Sequence, residues 1–314
     1  MTVAWLFPGQ GTQVVGMGKA LAEASPAARD VFARADAALG ESLSTLCFDG
    51  PLAELTLTAN TQPAILTTSL AALAALREAY PALPAPVFAA GHSLGEYSAL
   101  VAAGALSLED AVRLVRLRGR AMQDAVPEGV GSMAAVLGGD EATVIALCDA
   151  ARDGDALEPA NFNAPGQIVI SGHTTAVRRA GELAGRFKVK TIPLTVSAPF
   201  HSSLMAPAAR AVDDALASIA IAKPAFPIVT NVDATPNDDP GQIRSLLVRQ
   251  IDGAVKWSQS VTWLAAHGVT HALEIGPGKV LAGLVRKIEK RVSVHGVADP
   301  AGVTSAAEYL NFPV

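Results

Sequence analysis

Cysteine is almost missing from this sequence: among 314 residues there are two, Cys47 and Cys148. They are far apart, form no CxxC pair and show no metal-ligand spacing. A disulfide framework or a cysteine-built metal centre is therefore not expected, and a reducing compartment is the default. Aromatic residues are scarce at 5%, while Ala, Val and Leu abound, which suits helices packed on parallel strands better than an aromatic-rich β-barrel. Charge is also sparse at 17% against 50% hydrophobic residues, a balance that allows a large core and excludes a disordered chain. Basic residues are outnumbered, giving a formal net charge of −5, unlike an electrostatic nucleic-acid binder. Long apolar runs are absent too. The Ala/Leu-rich stretch 67–75 ends at Arg77-Glu78 and reads as a buried helix, not a membrane span. The opening Met1-Thr2-Val3-Ala4 has no basic leader. The expectation is a cytoplasmic protein with no membrane or nucleic-acid partner.

What is present alternates. A short apolar run at 3–7 stops at Pro8-Gly9, helical patterns follow, interrupted at Gly50-Pro51 and Asn60-Thr61-Gln62-Pro63, and a second buried strand is predicted at 86–90. Helices begin near Leu94 and cover 108–125. From 130 to 195 the rhythm becomes strand 132–137, helix 141–152, strands 156–161 and 167–171, helix 174–186 and strand 189–194. That β-α-β-β-α-β order predicts a ferredoxin-like unit inserted in an α/β main domain. Helices at 204–219, 242–250 and 258–267, with strands at 228–231 and 272–275, return the chain to the main domain. The expected boundaries are 1–128 with 198–314 for a hydrolase-like α/β domain with a short parallel sheet, and 129–197 for the small α+β domain.

Gly91-His92-Ser93-Leu94-Gly95 fits G-x-S-x-G between a predicted strand and a predicted helix. The chemistry needs that context: a sharp strand-to-helix turn lifts the Ser93 hydroxyl out of the fold, and flanking glycines relieve crowding. The helix N-terminus, beginning with the Leu94 N–H, favours a developing oxyanion. His92, adjacent on a tight turn, reads as a supporting residue. A serine nucleophile requires a base. Of six histidines, His201 lies in the Pro-marked loop Ser197-Ala198-Pro199-Phe200-His201. Loops on rigid scaffolds commonly carry catalytic groups. His267 and His271 flank Gly268 at a helix end, where capping or a surface position explains them. The pattern favours His201, and composition does not settle it.

On the helix 108–125, Arg113, Arg116 and Arg120 fall in one sector at 100° per residue and read as a solvated stripe. Arg118 falls on the opposite, apolar face among Leu114, Val115, Ala121 and Met122. A buried guanidinium stays charged and is costly unless paired. Its partner is either an internal carboxylate or a carboxylate that arrives with the substrate.

Taken together, Phe7-Pro8-Gly9-Gln10-Gly11-Thr12-Gln13, Gly91-His92-Ser93-Leu94-Gly95-Glu96-Tyr97, Arg118-Gly119-Arg120-Ala121-Met122-Gln123, Asn163-Ala164-Pro165-Gly166-Gln167, Phe200-His201, Gln250 and Glu274-Ile275-Gly276-Pro277-Gly278 resemble the malonyl-CoA:acyl carrier protein transacylase family of type II fatty acid synthesis. The resemblance spans essentially the whole chain. It implies Ser93 as nucleophile, His201 as base, oxyanion donors on the Gln10 and Leu94 backbone, and Arg118 as the malonyl carboxylate site. It implies that a main-chain carbonyl near Gln250, not a carboxylate, orients the histidine. Phe200 would disfavour an α-methyl branch on the acyl group. No metal or cofactor is implied; coenzyme A enters as the thioester substrate. The partners implied are malonyl-CoA and holo acyl carrier protein, acting on a monomer. The acidic carrier would dock on the 113/116/120 stripe, on Arg178-Arg179 with 186–190, or on Arg286-Lys287 with Lys290-Arg291. A polyketide acyltransferase shares every motif, an esterase or thioesterase shares Ser93 and His201, and a non-catalytic carrier-binding module would not need the intact set.

Overall fold

The computed structural model describes residues 2–196 and 198–311. Among the described residues ten strands form two sheets. The strands in chain order are β1 Val3–Phe7, β2 Phe88–Gly91, β3 Gly131–Leu137, β4 Leu157–Ala164, β5 Gln167–His173, β6 Lys190–Pro193, β7 Ile228–Val229, β8 Pro236–Asn237, β9 His271–Ile275 and β10 Ser293–Val297.

The six-stranded sheet has the order β10-β9-β1-β2-β7-β8, parallel except for the β7–β8 pair. Its centre is apolar on both faces because helices cover both. Along β1 the faces alternate: Trp5 and Phe7 join one core cluster, Ala4 and Leu6 the other. In β2, Ala89 and Ala90 divide in the same way, and β9 contributes Leu273 to the first cluster and Ala272 to the second. This is the hydrolase-like α/β layer arrangement.

The second sheet is antiparallel with the order β4-β5-β3-β6. The helices Glu141–Arg152 and Thr174–Leu183 supply Val144, Leu147, Ala176 and Ala180 to its core. Strand order and β-α-β-β-α-β succession together make it ferredoxin-like. It draws only on residues between Gly131 and Pro193. The expected boundary at residue 197 lies outside the described residues.

Two expectations are corrected. The helix Thr58–Ala79 runs unbroken through Asn60-Thr61-Gln62-Pro63. Pro63 forfeits one hydrogen bond, a local cost of about 3 kcal/mol. Nearly every residue from Thr61 to Leu76 is buried against neighbouring elements, and that packing outweighs the loss. Arg116 does not share a solvated stripe with Arg113 and Arg120: it is 7% exposed and is held by Glu41 and Asn60. The turn after the helix Pro26–Leu39 covers that sector, which helical periodicity alone does not reveal.

Among the described residues no helix is long and apolar enough to cross a membrane.

Candidate active site

The site lies at the carboxyl ends of β1, β2 and β7, where open parallel sheets gather their loops. β2 ends at Gly91 and the helix Leu94–Ala102 starts three residues later. Between them Ser93 is forced to φ 50° and ψ −104°, a conformation costing a non-glycine residue about 1–3 kcal/mol. Two glycines make the turn sterically feasible. A Cβ on Gly91 would collide with the Gly95 backbone, and one on Gly95 would collide with the Phe7 carbonyl. The turn is also clamped by Asn231, just beyond β7: its Oδ1 accepts from Ser93 N–H at 2.7 Å and its Nδ2 donates to Gly91 O at 2.7 Å.

His201 reaches Ser93 from the loop that leaves the small sheet. Its Nε2 is 2.8 Å from Ser93 Oγ. Its Nδ1–H faces two main-chain carbonyls, Gln250 O at 2.9 Å and Gly253 O at 3.1 Å. Donation on that side leaves the Nε2 lone pair for the serine proton. His201 is itself at φ 58°, a second strained backbone position. Burial, then the Arg118 charge, lowers its pKa to about 3, so the ring is neutral and able to accept a proton at neutral pH.

Arg118, on the helix Leu108–Asp124, is completely buried. Nη1 donates to Gln62 Oε1 at 2.8 Å; Nη2 donates to Gln250 Oε1 at 2.9 Å and Ser93 Oγ at 3.0 Å. Its Cζ lies 5.3 Å from the centre of the Tyr97 ring. All these partners are neutral, and no carboxylate forms an ion pair with Arg118 among the described residues. Desolvation pushes its pKa below the usual guanidinium value. Its buried Nε has no hydrogen-bond partner among the described residues, and a desolvated cation left so beside the Ser93 hydroxyl suits an anion.

The amides around Leu94 are committed: Ser93 N–H to Asn231, Gly95 N–H to His92 O at 2.9 Å and Glu96 N–H to Ser93 O at 3.1 Å. Leu94 opens the helix, and Gln10 faces the same cleft from the loop after β1. The cleft holds about 610 Å³, with Met122, Met133, Phe200 and Leu57 as apolar walls and Ser93 and His201 at its floor. Phe200 packs against Met133, Ala160 and Val169 of the small sheet. The structure thus brings together Ser93, His201, Arg118, Gln250, Gln10, Leu94 and Phe200. His267 stacks on Trp263 and His271 packs on Tyr309, away from the cleft lining.

Three contributors carry no role in the sequence reading. Gln62 bridges Arg118 and Gln10, Asn231 clamps the turn, and Asn163 Oδ1 accepts from His92 Nε2 at 2.8 Å, tying the nucleophile turn to β4. Gln62 stands among several polar residues of its helix, Asn60, Thr61, Thr67, Thr68 and Ser69, and nothing in the spacing singles it out.

A strained serine elbow, a neutral histidine held by carbonyls and a desolvated arginine can together carry out acyl transfer through a serine ester. The family described as the acyl transferase domain matches residues 4–304, and the chain belongs to it. Within that family it is 46% identical over 306 residues to the malonyl CoA-acyl carrier protein transacylase of Escherichia coli K12, covering 97% of this chain and 98% of that one. The crystal structure of an acyl-carrier-protein-S-malonyltransferase from Bartonella henselae superposes with a TM-score of 0.96 at 46% identity, covering 99% of this chain and all of the other. A malonyl-transacylase solved in complex with its type II PKS acyl-carrier protein gives 0.95 at 42% identity, covering 98% and 100%.

Proposed function

We propose that this chain moves a malonyl group from coenzyme A to the phosphopantetheine thiol of an acyl carrier protein, through a malonyl ester on Ser93, in the cytoplasm and in the service of fatty acid synthesis. The observation that carries this reading is the completely buried Arg118 guanidinium, 3.0 Å from Ser93 Oγ and without an ion-pair partner among the described residues. An esterase would gain nothing from it.

In the first half-reaction the Ser93 proton passes to His201 Nε2 as Oγ bonds to the thioester carbon. The Leu94 and Gln10 N–H groups hold the resulting oxyanion; losing one such donor costs about two to three orders of magnitude in rate. The carbon–sulfur bond then breaks, and coenzyme A leaves with the proton from His201. In the second half the carrier thiol gives its proton to His201 and its sulfur bonds to the ester carbon. The carbon–Oγ bond breaks, and Ser93 recovers the proton. Arg118 holds the malonyl carboxylate in both halves. The chemistry uses the chain's own side chains, with the coenzyme A thioester as substrate.

Intact mass after brief mixing with malonyl-CoA, and with acetyl-CoA in parallel, tests the reading. A malonyl adduct that vanishes in Ser93→Ala and is weak with acetyl-CoA is expected; equal adducts from both thioesters would move the chain to the hydrolase class. A polyketide carrier is the second reading, favoured by the similarity to the transacylase bound to a PKS carrier. Competing the two carriers for the preformed malonyl-enzyme separates them.

A further inference from the structure

Glu96 stands in the nucleophile motif, yet the chemistry above leaves it without a task. Its carboxylate is 2% exposed, on the helix Leu94–Ala102 and outside the cleft lining. One oxygen, Oε2, accepts from Gln250 Nε2 at 2.7 Å and from the Asn231 backbone N–H at 3.2 Å. Both donors belong to residues that hold the site. Gln250 Nε2 also donates to Ser93 O at 2.9 Å, while Gln250 Oε1 accepts from Arg118 Nη2.

A glutamine amide can be turned over, exchanging its oxygen for its nitrogen. Turned over here, Gln250 would point N–H groups at a guanidinium that has only donors. Together with the Ser93 carbonyl, which accepts from the same Nε2, the Glu96 carboxyl opposes this: its Oε2 accepts from the Nε2 end, and the Asn231 N–H fixes where that acceptor sits. Gln250 is thereby locked with Oε1 towards Arg118.

We propose that Glu96 is a positioning residue for acyl-group selectivity: by locking the Gln250 amide it keeps Arg118 Nη2 aimed at Ser93 Oγ, where the acyl carboxylate is read. This rests on the malonyl-transfer reading above. The acceptor oxygen does this work, not the charge. Burial raises the Glu96 carboxyl to about 7 against the opposing pull of its hydrogen bonds and of Arg118, with Asp233 adding to the rise. Tyr97, the neighbouring residue on the same helix, is a neutral phenol at this pH. Both protonation states are thus populated near neutrality, and a proton on Oε1 leaves Oε2 free to accept in either.

Two near-isosteric variants separate the possibilities. Glu96→Gln keeps the length and an acceptor oxygen but removes the charge; Glu96→Asp keeps the charge but withdraws the oxygen by one methylene. Each is compared with wild type by single-turnover acyl-enzyme formation from malonyl-CoA and acetyl-CoA, read as the ratio of the two kcat/KM values. Labelling of Ser93 by a neutral fluorophosphonate reports an intact nucleophile turn. Glu96→Asp is expected to lower the malonyl-over-acetyl ratio about tenfold, the worth of a hydrogen bond to a charged group, and Glu96→Gln to hold it within about twofold. An unchanged ratio in Glu96→Asp makes Glu96 merely structural and overturns the proposal. An equal fall in Glu96→Gln makes charge the agent and overturns it as well. Glu96→Met, apolar and of similar length, takes the place of Glu96→Asp if the shorter side chain abolishes labelling, with the same fall expected. Wild-type enzyme with no malonyl preference would refute the transfer reading itself.

Discussion

Replacing Arg118 with methionine should separate a substrate-reading arginine from a structural one, because the two readings give opposite results in two assays. Methionine has similar length and flexibility but neither charge nor donors. In the resting protein the change leaves Gln62 Oε1 and Gln250 Oε1 without a donor from position 118. Unsatisfied buried acceptors cost about 1–3 kcal/mol each. Against this, the change removes a desolvated charge whose burial costs several kcal/mol. The opposing effects are of one size, so the urea midpoint should barely move. An arginine whose task was an internal ion pair would instead cost about 3–5 kcal/mol when removed. Towards substrate the loss is one-sided: truncating one partner of a buried charge pair costs about 2–5 kcal/mol, a fall in kcat/KM for malonyl-CoA of roughly 30-fold to a few thousandfold. Acetyl-CoA carries no carboxylate and should be nearly indifferent. Single-turnover kinetics with both thioesters, alongside urea unfolding, gives the answer. A large stability loss with parallel falls for both substrates would refute the assignment of Arg118.

The pH dependence should be unusual for a histidine base. Because His201 is held at about 3, acyl-enzyme formation should stay flat as pH falls through 6.5, where an exposed histidine would lose activity; a rate-against-pH profile checks this. The same depression links to stability: between about 3 and 6.5 the unfolded chain binds the proton and the native one does not. Its stabilising contribution is therefore full above 6.5 and is lost as pH falls towards 3, against the opposite slope from Glu96, whose raised pKa favours the native state at low pH and opposes it as pH rises through about 7. Urea midpoints of wild type and Glu96→Gln across pH 5 to 8 should separate the two slopes. At the cleft wall, Phe200→Ala should raise the rate with methylmalonyl-CoA relative to malonyl-CoA by about tenfold, the scale of steric discrimination in an apolar pocket; competition between the two thioesters, read by adduct mass, measures it.

Much of the fold was legible because its pattern is local. Apolar β1 ends at Pro8-Gly9, and the helix Glu141–Arg152 begins where Asp140 accepts from Thr143 N–H at 2.8 Å, so their limits are written in neighbouring residues. β7 was expected, as part of 228–231, but β8, two residues long, contains no repeat from which a period can be read, and no expectation covered it, β10 or the helices Val280–Ile288 and Pro300–Tyr309. Pro63 and Arg116 misled for a common reason: what decides both is a distant segment packed over them. The same division holds in the site. Ser93 announces itself by G-x-S-x-G, whereas Asn231, 138 residues further on, contributes through contacts that no spacing encodes. Arg118 was legible as an anomaly, a charge on an apolar helical face, before any partner was visible.

The route of the chain between Ser93 and its base has a consequence for the newborn protein. The nucleophile is synthesised early, but His201 comes only after the whole antiparallel sheet, and the carbonyls that orient it belong to Gln250 and Gly253. β1 also waits for β9, its neighbour on the side away from β2. On a ribosome adding 5–20 residues each second, Ser93 precedes Gly253 by roughly ten to thirty seconds. Until then the serine lacks both its base and the carbonyls that orient that base, so the acylating machinery is assembled only late in synthesis.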